Sequence, residues 1–517
     1  MLPRRIAHRI PVRVRHYWKL LATCAATLLA FAVVFSTVRV APLVTSASDE
    51  SGDEVSVNIA GTTDLFDATR AHTIKITYRT EAYEELLDSF WKDGEKEYLE
   101  ADLTIDGTTV PSVGIRLKGN STLQGITRDG EARQGGFGGG RGAMPQGAMP
   151  QGGLPEGGGG FRMGGGGGRT SLKTEEPETL PWLIRFDEFV EGRRYQGHRE
   201  IAVRVGGMGG GAAVLNEAVS LNVLAAAGEV TQRYAYTSFT VNDRPATARL
   251  IVEHPDENFA DAIGGNGVLY KSMASSQFTD QGDDPTEYAD DFKQINKKGS
   301  QDLQPVIDLI RWVNTAGDAE FDEHLDEHVD VASFARYAAI QNLLVNFDDM
   351  AGPGRNYYLW YDLDAKRFSV VGWDYNLTLS GSATQDPAES VSMGGGGMRG
   401  GGGDFQPPEG MELPQGGQMP QGGQMPGGGR GGFGGHKLKE RFLASAAYKD
   451  TYRKAYKELF NKIYGNASAL NALDAITEVI GTVDGANAES TATDAENLRT
   501  LIRERTQFLV TNEIITG

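Results

Sequence analysis

The chain has 517 residues, 39% of them hydrophobic, with one cysteine and a formal net charge of −19. That is enough apolar material for a substantial core and too long a chain for a small stapled module. Cys24 lies in the N-terminal apolar run, so disulfides, thiolate zinc sites and cysteine nucleophiles are excluded from everything beyond it.

The N-terminus comes first. Arg4, Arg5, Arg9, Arg13, Arg15 and Lys19 make residues 1–19 a basic n-region ahead of an uncharged stretch from Leu20 to Val38. The stretch is just long enough to span a bilayer, and the positive-inside rule keeps the N-terminus in the cytoplasm. The sequence therefore predicts a transmembrane signal anchor or signal peptide over 20–45. The remainder is expected at the cell membrane as a single-pass extracellular domain, or secreted if a peptidase cuts near Thr45-Ser46-Ala47. Leu21-Ala22-Thr23-Cys24 is not read as a lipobox, because hydrophobic residues continue past the cysteine. Residues 1–47 hold seven Lys or Arg and no acid, which leaves −26 for the exported part. Such a surface argues against nucleic acid and suits Lys/Arg-rich protein segments and divalent cations.

Residues 46–63 read as a polar linker. A strand (HTIKITY) and a helix (EAYEELLDSFWK) follow, then strand-like runs at 100–118 and 181–205. LNEAVSLNVLAAAG reads as a helix, and AYTSFTVNDRPATARLIVEH as a hairpin turning at Asn242-Asp243. Residues 302–346 and Lys437–Ile515 are helical. The fold class expected for 64–515 is α+β, β-rich first and helical later. His198 and His254 read as turn or surface residues. Lys437, Lys439, Arg441, Lys449, Arg453, Lys454 and Lys457 read as a solvated helix face.

Two Gly/Met/Pro-rich insertions, Gly135–Gly168 and Met393–Gly435, interrupt this pattern. Glycine at such density cannot offset its ordering entropy by burying side chains, so both are expected to be disordered. Deleting both should leave a cooperative thermal transition within a few degrees of the parent. Trypsin should cut the intact chain first at Arg141, Arg162, Arg399 or Arg430. Unfolding on deletion, or resistance at these arginines, would show the segments to be packed.

From Asn346 the chain reads NFDDMAGPGRNYYLWYDLDAKRFSVVGWDYNL. A helix with Phe334, Tyr337, Ile340, Leu344 and Phe347 on one face leads to Asp348 and Asp349. A Gly352-Pro353-Gly354 turn follows, and Asn356 opens an aromatic strand. DLDAK closes a hairpin, with Asp362 and Asp364 as turn residues, and a second strand ends on Asp374. This is the order of oxygen ligands in a phosphoryl-transfer site, where one acid takes the acceptor's proton and an Asn and a later Asp hold magnesium. Asp348 is then the base, with Asp349 its neighbour and rival, and Asn356 and Asp374 are the metal ligands. For the cation on the nucleotide phosphates the candidates are Lys118, Lys173 and Lys271, and for the acid that positions it, Glu217. Arg116 and Asn120 flank Lys118 in a block that also reads as a turn. Tyr270, Trp360 and Phe368 are either adenine platforms or core.

The blocks Asn-Phe-Asp-Asp, Asn-Tyr-Tyr-Leu and Gly-Trp-Asp-Tyr-Asn, with Arg-Leu-Lys-Gly-Asn-Ser at 116–121, Tyr-Gln-Gly at 195–197 and LNEAVSLNVLAAAGEV at 215–230, resemble the CotH family of spore-coat-protein-H-like atypical kinases. The resemblance implies a divergent protein-kinase-like fold. It implies transfer of the ATP γ-phosphate, with Mg2+ or Mn2+, to Ser or Thr of a surface or secreted protein. It also favours Asp348 over Asp349, since the family's acid directly follows Asn and an aromatic. The chain lacks HRD, a glycine loop and the DFG glycine, Asn376 standing two places after Asp374. The alternative reading is a catalytically inactive surface or adhesion protein on the same fold, and a weaker one a calcium-stabilised structural protein.

Overall fold

Alternation shapes the first half of the molecule. In the strand Ala71–Thr77, His72, Ile74 and Ile76 are buried while Thr73, Lys75 and Thr77 face solvent, the period of a strand with one face in a core. The computed structural model describes residues 55–119, 122–133, 172–206, 211–389, 391 and 435–517, with isolated positions at 17, 19, 22, 23 and 27. Asn120, nearly all of the N-terminal apolar run and both Gly-rich insertions except Gly435 lie outside the described residues. Among those residues no helix is long and apolar enough to cross a membrane.

The first strands are β1 (Val57–Ile59), β2 (Ala71–Thr77), β3 (Leu99–Ile105), β4 (Thr108–Leu117), β5 (Thr127–Arg128), β6 (Glu131–Ala132), β7 (Trp182–Arg185), β8 (Arg193–Tyr195), β9 (Glu200–Val203), β10 (Tyr234–Val241) and β11 (Thr247–Glu253). Seven close a barrel in the order β10-β11-β9-β7-β4-β3-β2, shut by the parallel pairing of β10 with β2. Ile76, Leu103, Ile115, Trp182, Ile201, Phe239 and Ile251 belong to its core. Helix α1 (Thr80–Asp93) adds Tyr83, Leu86, Leu87 and Phe90 to that core, and Gly94, at φ 87°, ends the helix by donating its N–H to Phe90.

The second half has helices α2 (Leu215–Ala227), α3 (Glu257–Ile263), α4 (Gln304–Thr315), α5 (Asp318–His328), α6 (Val331–Leu343), α7 (Lys437–Ala444), α8 (Lys449–Phe460), α9 (Ser468–Ile480) and α10 (Ala488–Val510). A four-stranded antiparallel sheet runs among them: β12 (Gly267–Ser272), β13 (Phe292–Gln294), β14 (Tyr357–Asp362) and β15 (Arg367–Gly372), in the order β13-β12-β14-β15. The helices and this sheet enclose a second core, and a small third cluster under the hairpin contains Tyr358, Trp360, Val371 and Trp373. The fold is α+β, with the barrel first and most helices later. His198 corrects the sequence reading: it is fully buried, its ring edge-on to Phe66 and hydrogen-bonded to Arg233 at 2.6 Å. His254 is also drawn inward, 3.1 Å from Glu200 and edge-on to Trp373.

Candidate functional site

Strand register brings the candidates together. Leu117 pairs with Trp182 and Trp182 with Val203, so Lys118 and Arg204, each one residue further on, leave the barrel at the same rim. In the second sheet Lys271 pairs with Tyr358, and Tyr357 with Gly372. Lys271, Asn356, Trp373 and Asp374 therefore stand at one end of it. Val345, Arg355 and Asp374 take φ of 49°, 51° and 59°. Each left-handed non-glycine residue costs on the order of 1 kcal/mol.

At the junction, the Arg204 guanidinium sits 2.5 Å from Glu217 and 2.8 Å from Asp374. Glu217, from the first turn of α2, is fully buried, whereas Asp374 keeps a fifth of its side-chain surface open. Burial pushes the Glu217 carboxyl up to about 7 in spite of Arg204. Burial opposes ionisation of Asp374 too, yet Arg204, Lys118 and Lys271 together hold it below the usual carboxylate range. The two lysines share one indole: Lys271 Nζ lies 4.0 Å and Lys118 Nζ 5.5 Å from the Trp373 ring centre. Burial, with the Lys118 charge, lowers Lys271 to about 7. Burial, with the Arg204 charge, lowers Lys118 to about 8. Two desolvated cations facing an aromatic face form a ready seat for a polyanion.

The loop after α6 supplies the acid. Asn346 receives the Asp348 N–H on its side-chain oxygen (3.1 Å) and donates its amide to Gln341 (2.8 Å). Asp348 Oδ1 accepts the Gly354 N–H at 2.5 Å, and Oδ2 accepts the Asn356 amide at 3.0 Å. A Cβ on Gly354 would lie 2.6 Å from that amide and 2.7 Å from Asp348 Oδ2, so only glycine fits the turn. Burial, aided by the nearby Asp374 and Asp349 charges, lifts Asp348 to about 6. That value suits a general base near neutrality.

Oxygen donors for a metal are present. Asn376 Oδ1 and Glu217 Oε2 are buried without a hydrogen-bond partner, Asp374 Oδ1 faces Arg204 at 2.8 Å, and the Asn356 amide donates to Asp348. Among the described residues no group of three or more His, Cys, Asp or Glu is placed to hold a metal unaided. Asp374 and Asn356 thus fit magnesium only with phosphate oxygens and water completing the shell, its usual arrangement beside nucleotides.

The profile of the CotH kinase protein family matches residues 166–509, well over half of the chain. The chain belongs to the CotH kinase family. No curated protein matches it. The matched span begins beyond the Arg-Leu-Lys-Gly-Asn-Ser block, yet β4 still carries Lys118 to the same rim as the CotH-matched residues.

Other sequence candidates stand elsewhere in this CotH chain. Lys173 is half exposed and paired with Glu176 at 3.0 Å, away from the cluster. Arg116 lies over the Tyr98 ring, and Asn120 is outside the described residues. Tyr270, Trp360 and Phe368 are buried core residues. The C-terminal basic cluster is only partly a solvated face: Lys439 is buried and ion-paired to Asp349. Arg204, Trp373 and Lys439 were not among the residues picked from sequence. For Arg204 a signal existed, an arginine closing the strand just before the helix that carries the acid, which is where kinases place the lysine of their Lys–Glu pair.

Proposed function

We propose that this CotH family member is an ATP- and divalent-metal-dependent protein kinase acting on Ser or Thr. The observation that carries the reading is the convergence of Asp348, Asn356, Asp374, Lys118, Lys271 and the Arg204–Glu217 pair, drawn from both halves of the fold, on one rim.

In this reading Asp348, oriented by Gly354 and Asn356, accepts the proton of the acceptor hydroxyl as that oxygen bonds to the γ-phosphorus and the bond to ADP breaks. Lys118 and Lys271 offset phosphate charge; burial lowers their proton affinity, and a polyanion beside them would favour the charged form. Arg204 holds Glu217 and Asp374 in register across the two cores. Asp374 and Asn356 would hold magnesium, which would supply positive charge to offset the charge that develops on transfer. The acidic surface and the basic, apolar N-terminus support an exported or membrane-tethered enzyme with cationic protein substrates.

The test is incorporation of γ-labelled phosphate from ATP into the chain itself or a Ser-rich acceptor, with Mg2+ or Mn2+ and with chelator. No incorporation with either metal would overturn the reading and leave the inactive surface protein in its place. The pH profile adds a second check. Asp348 works ionised, so kcat/KM for ATP should rise through about pH 6. It should fall again between about 7 and about 8, as Lys271 and Lys118 lose their protons in the free enzyme.

A further inference from the structure

Helix α7 reaches into the candidate site from 90 residues downstream of Asp349. Its Leu438 and Phe442 are set in the helical core, and Arg441 donates to the carbonyls of Val313 (2.8 Å) and Gly317 (2.9 Å), which fastens the helix to the α4–α5 connection. Between these anchors Lys439 is held with 3% of its surface exposed, its ammonium on Asp349 Oδ2. Asp349, 1% exposed, also turns the loop: its Oδ1 accepts the Ala351 N–H at 2.8 Å and its carbonyl the Gly352 N–H at 2.9 Å. The Met350 N–H, in turn, donates to Tyr337 Oη at 3.0 Å.

A buried ion pair adds little stability over a well-packed apolar pair of the same volume, because desolvation offsets most of the attraction. Stability alone therefore gives weak grounds for an ammonium here, while its place beside the acid gives better ones. We infer that Lys439 is a positioning residue for the phosphoryl-transfer site: by fixing Asp349 and the 350–354 turn, it sets the direction in which Asp348 presents its carboxylate. The inference rests on the kinase reading. It adds that α7, which follows the second Gly-rich insertion, is part of the machinery that aims the base.

The experiment uses the full chain with ATP and Mg2+, comparing wild type with Lys439→Met, Lys439→Arg, Asp349→Asn and the double variant Asp349→Asn/Lys439→Met. Lys439→Met should lower kcat by about 30-fold or more with KM for ATP within about twofold, since only the acceptor side is misaimed. Lys439→Arg, which keeps the charge, should retain most of the activity. The double variant should be no worse than the poorer single one, because both act through one contact. An unchanged kcat in Lys439→Met, a matching rise in KM, or multiplicative losses in the double variant would overturn the inference. Hydrogen exchange gives a readout that does not need activity: amides 350–354 should lose protection in Lys439→Met while those of α6 keep theirs. If 350–354 stay protected, Lys439 does not hold the turn, whatever the labelling shows. If wild type transfers no phosphate yet those amides are freed, the contact stands and the kinase reading falls.

Discussion

Replacing Asp374 by Asn should abolish phosphate transfer, with a loss of about a thousandfold or more, or about 4 kcal/mol of barrier. The side chains are nearly isosteric, and Arg204 keeps its contact with Glu217, so the variant should fold. What disappears is the charge. Asp374 is held ionised by Arg204, Lys118 and Lys271, and a neutral amide oxygen is a poor substitute where a divalent cation and phosphates meet. Label incorporation with Mg2+ and with Mn2+, beside a thermal melt, reads this directly. A folded Asp374→Asn protein that labels at the wild-type rate would sink the metal assignment.

The second large effect is expected at Asp348. Asp348→Asn should lower kcat by about a hundred- to ten-thousandfold, the usual range for losing a general base, while KM for ATP moves by less than about twofold. The amide can still accept from Gly354, so the turn should survive. Asp349→Asn should lower kcat less, because that carboxylate is committed to Lys439 and to the Ala351 amide. Steady-state rates of the two variants decide the order. If Asp349→Asn proves the more severe, Asp349 is the base and Asp348 its support.

The hairpin and the spacing of its oxygen-bearing side chains are legible because the signals are local. A helix period, a Gly-Pro-Gly turn and two aromatic strands fix the spacing of Asp348, Asn356 and Asp374 within one stretch of chain, and α6, β14 and β15 follow it closely. By local pattern alone Lys118 and Lys271 are indistinguishable from Lys173, and Glu217 from any helix-surface glutamate. What selects them is barrel closure and the register Leu117–Trp182–Val203, which no local pattern encodes. Lys439 misled for a physical reason. It sits between Leu438 and Phe442 on a helix rich in charge, and a lysine is seldom buried unless a partner awaits it, here a residue 90 positions away. Of the two readings open for Tyr270, Trp360 and Phe368, the structure has them in the cores.

Arg204 belongs to the barrel, Glu217 to a helix of the second core, and Asp374 to the end of the hairpin. One guanidinium thus ties three elements together at a junction that is otherwise apolar, since Tyr236, Leu250 and Val252 of the barrel strands are packed into the helical core. A cation arriving at Asp374 would compete for the carboxylate that Arg204 holds, loosening the tie to the hairpin while the apolar seam stays closed.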